Sequence, residues 1–301
     1  IMVKALENEG VKYIFGIPGE ENIDFLEAVR HSKIQFVLTR HEQGAGFMAD
    51  VYGRLTGRAG VCLATLGPGA TNLFTPVADA YLDRAPLVAI TGQAGTSQMH
   101  KESHQYVDIV SMFRSITKWN TRISAPEVVA EAVRKAFKLA EAEKPGATHL
   151  ELPEDIAQLE VAKPEYLEIR KVRRPTPDSK AVARAVELLK KAEKPLILAG
   201  NGTVRKRATE NLRVFLDKTR IAVCNTFMGK GAAGHKYEYN LFTIGLQARD
   251  NIAFAFQEAD LIIAIGYDIV EYSPRFWNPD GKKKIIHIDF DQAEVDYWYN
   301  P

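Results

Sequence analysis

The sequence predicts an α/β protein made of two doubly wound parallel-sheet domains in tandem. Short apolar runs rich in β-formers alternate with amphipathic stretches of helical length, which is the pattern of repeated βαβ units. A charged, proline-containing stretch at 159–180 interrupts the alternation, and 301 residues exceed the usual size of one domain. We therefore predict one domain at 1–160, a linker at 161–179 and a second domain at 180–301.

The first half alternates strands and helices from its beginning. The stretch from Ser124 to Glu127 has the spacing of a capping box, and the apolar positions after it from Val128 to Phe137 recur at helical spacing. Predicted strands lie at 13–15, 34–38, 61–66, 87–91, 116–123 and 148–152, and predicted helices at 2–9, 23–30, 42–57, up to 82, and 124–142.

The second half repeats the alternation after the linker. Helices that return to parallel strands imply a sheet covered on both faces. Predicted helices lie at 181–191, 207–218 and 251–257, and predicted strands at 196–199, 221–225, 261–265 and 285–289, with a glycine-rich loop at 229–234.

Glu42 stands where the strand 34–38 runs into a helix. The strand reads as buried and central, and Ala45, Met48, Ala49 and Tyr52 predict the inner face of the helix. The carboxyl ends of such strands are where open α/β sheets bind ligands, so a carboxylate there is a candidate functional group that needs a partner if buried. The alternative is that Glu42 only interacts favourably with the helix N-terminus.

Three further polar or glycine-rich features follow strands of the first domain. They are the turn at Pro18-Gly19, a loop from Gly67 to Asn72, and a segment that contains His104-Gln105. In a parallel sheet these features lie on one rim together with Glu42, which indicates a cofactor site, although each alone fits plain turn chemistry. In the second domain, Gly200-Asn201-Gly202 lacks the third glycine of a dinucleotide fingerprint.

The charge balance and the two cysteines indicate which classes of partner and which cellular compartment to expect. With 39 basic and 38 acidic side chains and no long run of either sign, we expect neither nucleic acid nor a membrane as partner. Cys62 and Cys224 lie inside apolar runs, which predicts buried reduced thiols and suits a cytoplasmic protein. The ends at Ile1 and Pro301 carry no start or stop signal, which is compatible with a piece of a longer protein.

As a set, the glycine-rich and acidic motifs resemble the thiamine-diphosphate-dependent decarboxylases and carboligases, most closely the acetolactate synthases. Residues 180–301 resemble the central domain of that family, and the stretches 265–268 and 271–278 resemble its catabolic members in particular. The first domain resembles the family's pyrimidine-binding domain in these motifs: Gly16-Ile17-Pro18-Gly19, Arg40-His41-Glu42-Gln43, Gly53-Arg54-Leu55-Thr56-Gly57, Gly67-Pro68-Gly69-Ala70-Thr71-Asn72 and Leu150-Glu151-Leu152-Pro153.

The resemblance implies a transferase that decarboxylates pyruvate and joins the remainder to a second pyruvate, giving 2-acetolactate and carbon dioxide. Glu42 would hydrogen-bond N1′ of the cofactor's aminopyrimidine, and Gln105 would lie near the reacting carbon, unless it is only a solvated loop amide. The family also implies magnesium and a homodimer or homotetramer. Residues expected to shape the cofactor pocket are Pro18, Gly19, Pro68 and Asn72.

Two departures from the family pattern carry expectations of their own. No Gly-Asp-Gly motif followed by asparagine occurs, so the third domain that holds magnesium and the diphosphate is absent from this sequence, and the 301 residues alone should be inactive. The turn after the strand 261–265 has Tyr267 and Asp268 where FAD-containing relatives have an arginine-rich turn, which predicts no stoichiometric FAD, although Gly200 to Gly202 and Arg249 could meet phosphate. The alternatives are the FAD-containing acetohydroxyacid synthase catalytic subunit and a non-catalytic binding module.

Overall fold

The computed structural model of the protein describes residues 1–161, 166–170, 175–205, 208–245 and 251–301. The chain divides into two compact units, Ile1–Val172 and Arg173–Pro301. This division falls inside the predicted linker, whose own bounds of 161–179 stay a prediction. Parts of that linker, Arg207 at the start of a predicted helix, and Arg249 lie outside the described residues.

The first unit contains a six-stranded sheet in which all neighbouring strands are parallel. Its strands are β1 (Tyr13–Gly16), β2 (Gln35–Leu38), β3 (Gly60–Ala64), β4 (Leu87–Gln93), β5 (Trp119–Arg122) and β6 (Ala147–Pro153). The strand order is β2-β1-β3-β4-β6-β5, so the chain first builds outward from β1 on one side and then from β3 on the other. The predicted parallel α/β architecture is confirmed.

Helices cover both faces of this sheet. They are α1 (Met2–Asn8), α2 (Ile23–Arg30), α3 (Glu42–Thr56), α4 (Gly67–Asn72), α5 (Phe74–Leu82), α6 (Ile109–Phe113), α7 (Val129–Glu141) and α8 (Glu154–Ala157). Neighbouring residues of β3 alternate between two cores: Val61 packs with α1, α2 and α7, whereas Cys62 packs with α3, α5 and α6. Each buried side chain of this size contributes about 1.5–3 kcal/mol relative to exposure, so the doubly covered sheet is a rigid base for the loops at its edge.

Three local expectations were wrong. β2 lies at the edge of the sheet and is not central, and Leu38 at its end is 68% exposed. Met48 is 48% exposed, because α3 buries its small residues against the sheet and turns its larger ones outward. The capping box does not form: Ala125 caps a 3₁₀ turn at Pro126–Val128 that precedes α7.

The second unit contains a five-stranded parallel sheet in the order β11-β10-β7-β8-β9. The four-residue strand β9 was not predicted, because it lies at the sheet edge and its residue Phe242 has a φ of +66°. The elements are α9 (Ser179–Lys191), β7 (Pro195–Ala199), α10 (Ala208–Thr219), β8 (Ala222–Asn225), β9 (Asn240–Thr243), α11 (Ala253–Glu258), β10 (Leu261–Ile265) and β11 (Lys284–Ile288).

In each sheet the chain reverses its building direction at one point, between β1 and β3 in the first unit and between β7 and β10 in the second. Ligands of doubly wound sheets bind outside the carboxyl ends of the strands at such points. Across the described ranges of both units, the helices are too short or too polar for a membrane span.

Candidate active site

The carboxyl ends of β1, β2 and β3 bring three of the predicted features together. The turn after β1 carries Gly19, the first residue of α3 is Glu42, and the helix α4 that follows β3 ends at Asn72. The predicted loop at 67–72 is thus a short helix, with Pro68 in its first turn. Because β1 and β3 flank the reversal point of the sheet, this rim is the position expected for a ligand.

The Glu42 carboxylate has a specific partner in this rim. Asn72 Nδ2 donates a hydrogen bond of 2.9 Å to Glu42 Oε2, and Asn72 is its only hydrogen-bond partner in the described part of the chain. The other oxygen, Oε1, lies 3.5 Å from the place where a Cβ on Gly69 would stand. Glu42 does not cap α3, because the His41 ring accepts from the Gln43 N–H in that role. One carboxylate oxygen is therefore held while the other faces a small residue.

Gly19 approaches β3 more closely than any side chain would permit. A Cβ on Gly19 would stand 2.3 Å from the Cβ of Thr65, directly after β3. The Thr65 hydroxyl donates to Glu21 at 2.5 Å, and the Gly19 N–H donates to Asn22 Oδ1 at 2.9 Å. Asn22 is 2% exposed, and its Nδ2 has no hydrogen-bond partner within the described ranges. The turn after β1 is thus fixed from both sides and carries an unmet buried donor.

Gln105 is held by its backbone next to the same rim. Its φ of +54° is unusual for a residue with a side chain, and a Cβ on Gly67 would stand only 2.2 Å from its carbonyl oxygen. Backbone strain of this kind tends to occur at ligand-binding positions, where surrounding contacts compensate for it. The side chain of Gln105 is exposed, so the structure leaves it accessible to a ligand.

The remaining predicted pocket residues are placed more loosely. Pro18 and Pro68 are both exposed on the rim, at the turn after β1 and in the first turn of α4. Sequence reasoning missed Thr65 and Glu21, which join β3 to the Gly19 turn. The acidic pair Glu20-Glu21 immediately after Pro18-Gly19 was a signal that could have suggested the second carboxylate.

Arg54, in the motif 53–57, fixes α3 against α5. Its guanidinium pairs with Asp50 at 2.9 Å, Asp79 at 2.9 Å and Asp83 at 3.0 Å. Burial raises the pKa of the Asp50 carboxyl to about 6, although Arg54 opposes that shift. This motif therefore orients the helix that begins at Glu42, and it touches no predicted pocket residue.

In the second unit a carboxylate of the chain itself occupies the reversal point. Glu271 accepts hydrogen bonds from the N–H of Asn201 at 3.0 Å, the N–H of Asp268 at 2.9 Å and the hydroxyl of Thr226 at 2.5 Å. These donors follow β7, β10 and β8, and burial raises the pKa of this carboxyl despite them. A Cβ on Gly200 would stand 2.4 Å from the backbone of Tyr267, so the two loops are already in contact.

Neither unit offers a metal centre in the ranges that the structure describes: no group of three or more His, Cys, Asp or Glu side chains converges there. Cys62 and Cys224 are buried and form no disulfide, as predicted, and burial raises the pKa of the Cys62 thiol to about 12.

Comparison with known protein families matches both units. Residues 1–112 match the N-terminal TPP binding domain of thiamine pyrophosphate enzymes, and residues 182–301 match the central domain of the same enzymes. The first match contains the rim built by Gly19, Glu42 and Asn72.

Curated relatives cover nearly the whole chain. A probable acetolactate synthase large subunit of Methanocaldococcus jannaschii is 40% identical over 303 residues, 98% of this chain and 51% of that protein. The acetolactate synthase large subunit of Corynebacterium glutamicum is 38% identical over 301 residues, 98% of this chain and 48% of that protein. An acetolactate synthase of Bacillus subtilis is 33% identical over 309 residues, the whole of this chain and 53% of that protein.

The chain thus spans about half the length of the curated relatives it matches. Its fold, its rim and both domain matches agree, and the chain belongs to the thiamine pyrophosphate enzymes, of which it carries the N-terminal TPP-binding domain and the central domain.

Proposed function

We propose that the protein is an acetolactate synthase, which decarboxylates pyruvate and joins the product to a second pyruvate to give 2-acetolactate. The observation that carries this proposal is the Glu42 carboxylate, held at one oxygen by Asn72 in the rim of a TPP-binding domain. The proposal is further supported by relatives named acetolactate synthase that match across 98–100% of the chain.

The residues on the rim fit the aminopyrimidine half of thiamine diphosphate. An aminopyrimidine needs a carboxylate near one ring nitrogen and polar groups near the others, and the rim offers the oxygen of Glu42 that Asn72 leaves unbound and the unmet donor of Asn22. Pro18, Gly19 and Pro68 would shape the pocket by packing and backbone contacts. Magnesium and the cofactor's diphosphate would be held by residues outside this chain.

When bound, thiamine diphosphate supplies an electron sink for the carbanion that forms as pyruvate loses carbon dioxide. Glu42 would hold and exchange a proton at N1′ of the aminopyrimidine, a general acid–base role that suits a positioned carboxylate. Asn72 fixes the rotation of that carboxylate at a distance of 2.9 Å. Gln105, accessible beside Gly67, would lie near the reacting carbon and donate a hydrogen bond to the oxygen that this carbon carries.

The test is the product formed from pyruvate by the full-length protein with thiamine diphosphate and magnesium. We expect 2-acetolactate, and we expect Glu42→Gln to lose about 10²- to 10⁴-fold of turnover because an amide cannot exchange the proton. Glu131→Gln is the matched control, since Glu131 is also an acidic residue in the first turn of a helix of the same unit. Near-normal pyruvate consumption by Glu42→Gln would remove Glu42 from the mechanism.

We also propose that the central domain carries no FAD. The diphosphate of a dinucleotide would need the backbone N–H groups at the reversal point, and Glu271 already takes those of Asn201 and Asp268. A second anion beside a buried carboxylate would be repelled, so the residues present do not fit the group. This geometry supports the FAD-free, catabolic type of acetolactate synthase.

One observation favours the alternative, an FAD-containing large subunit of the biosynthetic type. Relatives that are 38–40% identical are named large subunits, a name that fits the catalytic subunit of an enzyme with more than one kind of subunit. The absorbance spectrum of the full-length protein, before and after loading with excess FAD, separates the two. We expect no flavin band after gel filtration, and a band near one equivalent per chain would establish the biosynthetic type.

For partners and location, we propose a homodimer or homotetramer in the cytoplasm. The outer face of α3 exposes Phe47, Met48, Val51 and Leu55, spaced as one helical stripe, which favours contact with another subunit. Two buried cysteines that form no disulfide are typical of a reducing compartment.

A further inference from the structure

We propose that Gln93, Glu151 and Arg122 form a hydrogen-bonded network that holds the Gln105 segment in place, which makes them positioning residues for the reaction. This inference rests on the proposed function, because it assigns the network a purpose through Gln105. The three residues end or nearly end β4, β6 and β5, so the network spans the carboxyl edge of three adjacent strands.

Gln93 connects the sheet to the segment directly. Its Nε2 donates to the carbonyl oxygen of Val107 at 3.0 Å and to Glu151 Oε2 at 3.0 Å. Its Oε1 accepts from the N–H of Ala94 at 3.0 Å, so every polar atom of this fully buried amide is satisfied. The bond to Val107 fixes the backbone two residues after Gln105.

Glu151 and Arg122 complete the network from the far side. Glu151 is fully buried, and its Oε1 accepts a hydrogen bond from Arg122 Nε. Burial opposes the charge of Arg122, but its hydrogen bond to Glu151 raises the pKa of its guanidinium. Arg122 therefore holds the buried carboxylate that in turn accepts a hydrogen bond from Gln93.

The segment is consequently fixed at two points. At Gln105 itself the carbonyl lies against Gly67, and two residues later the carbonyl of Val107 accepts a hydrogen bond from Gln93. A φ of +54° at Gln105 persists only where neighbouring contacts maintain it. Losing the network should let Gln105 return to an ordinary backbone conformation and move its side chain.

Two residues before Gln93 and Glu151, the same strands carry another buried hydrogen-bonded pair, to which we assign a purely structural role. Thr91 Oγ1 and His149 Nε2, on β4 and β6, are 2.9 Å apart and fully buried. In the described part of the chain no side-chain hydrogen bond joins either residue to the segment 105–108, so Thr91→Val removes a buried hydrogen bond of similar kind and leaves the bond to Val107 in place. It is the matched control for Gln93→Leu, which removes the bonds to Val107 and Glu151.

Two measurements on the full-length enzyme test the inference. Hydrogen exchange followed by mass spectrometry reports how fast the backbone amides of the peptide 99–108 exchange, and this measurement does not depend on turnover. Steady-state kinetics report kcat, the KM for pyruvate, and the fraction of decarboxylated pyruvate released as acetaldehyde instead of acetolactate. Thermal unfolding of both variants measures the loss of stability that they share.

We expect Gln93→Leu to speed exchange in the peptide 99–108, to lower kcat about 10- to 100-fold, and to raise the acetaldehyde fraction, because small misplacements of a positioning group have effects of this size. Thr91→Val should lose comparable thermal stability but leave the exchange of the peptide, kcat and the acetaldehyde fraction unchanged. Unchanged exchange in Gln93→Leu, or equal effects of the two variants, would overturn the network. Faster exchange in a protein that makes no acetolactate would preserve the network and reject the proposed function instead.

Discussion

Gly67 has a left-handed backbone conformation and lies directly against the backbone of Gln105. Its φ is +46°, and a Cβ there would stand 2.2 Å from the Gln105 carbonyl oxygen. We expect Gly67→Ala to lower kcat with pyruvate strongly, because the methyl group must push the Gln105 segment away. The left-handed backbone alone costs an L-residue about 1–2 kcal/mol.

Gly57→Ala separates these two effects. Gly57 has a φ of +67° at the end of α3, yet a Cβ there would meet nothing within 4 Å. In thermal unfolding it should therefore lose only the stability that the left-handed backbone costs, and it should keep its kcat. Equal activity of the two variants would mean that Gln105 does not need its observed position.

The sequence predicted the candidate site residues, but it did not predict the contacts that hold them in position. Glu42 was located by its place between a strand and a helix, and the need for a partner followed from its charge. The partner, Asn72, could not be predicted because its position depends on the helix α4. The six residues of that helix begin with Gly-Pro-Gly, a sequence that is typical of a loop. The strained φ of Gln105 has no sequence signal, because it is imposed by contacts distant in the chain.

Among the helices, α3 has two distinct apolar faces. Small residues such as Ala45 and Ala49 let it lie close to β3, while the stripe with Val51 and Leu55 faces outward. Helical periodicity identified the helix but not which face is buried, since both faces are apolar. The error at Met48 follows from that ambiguity.

The outward stripe of α3 leads to a prediction about assembly. Val51→Lys should lower the molar mass measured by light scattering, because a charge would have to be buried in the subunit contact. Val214→Lys is the control, since Val214 on α10 is similarly exposed, at 53% against 49%. An unchanged mass for Val51→Lys would exclude this stripe from the interface.

The ion pairs of Arg54 predict a pH-dependent stability. Removing one partner of a buried pair costs about 3–5 kcal/mol, so Arg54→Met should destabilise the first unit at pH 7.5. The folded pKa of Asp50 is about 6, above its ordinary 3.8, so its charge lowers stability above pH 6, and protonation relieves that cost as the pH falls.

The cost of Arg54→Met should therefore be smaller at pH 5 than at pH 7.5, because Asp50 becomes neutral without its cation. Urea unfolding at both pH values measures the difference, and Arg30→Met is a control because Arg30 pairs only on the surface with Glu27. A cost that grows toward low pH would contradict the assigned burial of Asp50.

Both units contain a doubly wound parallel sheet with one reversal point, but the order is β2-β1-β3-β4-β6-β5 in the first and β11-β10-β7-β8-β9 in the second. Alternation of apolar runs and amphipathic stretches was sufficient to predict both sheets, since each parallel strand must be followed by a covering helix. Strand order was not predictable from the alternation, which is why β2 was expected in the centre. The edge strand β9 escaped prediction because it buries too little for its sequence to show a pattern.

The two reversal points differ in what occupies them, and we propose a corresponding division of roles between the units. In the first unit Glu42 leaves one oxygen unbound, whereas in the second Glu271 uses three donors of the chain. We expect residues 1–301 on their own to form no acetolactate, because this stretch offers only the pyrimidine side of the cofactor site. Acetolactate formation by the isolated stretch, followed with thiamine diphosphate and magnesium, would contradict that division.

We propose that Glu42 moves a proton at N1′ and thereby prepares the cofactor for reaction. Exchange of the C2 proton of bound thiamine diphosphate for deuterium, followed by NMR in the full-length enzyme without pyruvate, tests this before any substrate chemistry. We predict that Glu42→Gln slows the exchange by about 10²- to 10⁴-fold while Glu131→Gln leaves it unchanged. Equal exchange rates in the wild type and Glu42→Gln, with the cofactor bound in both, would show that Glu42 does not drive this proton exchange.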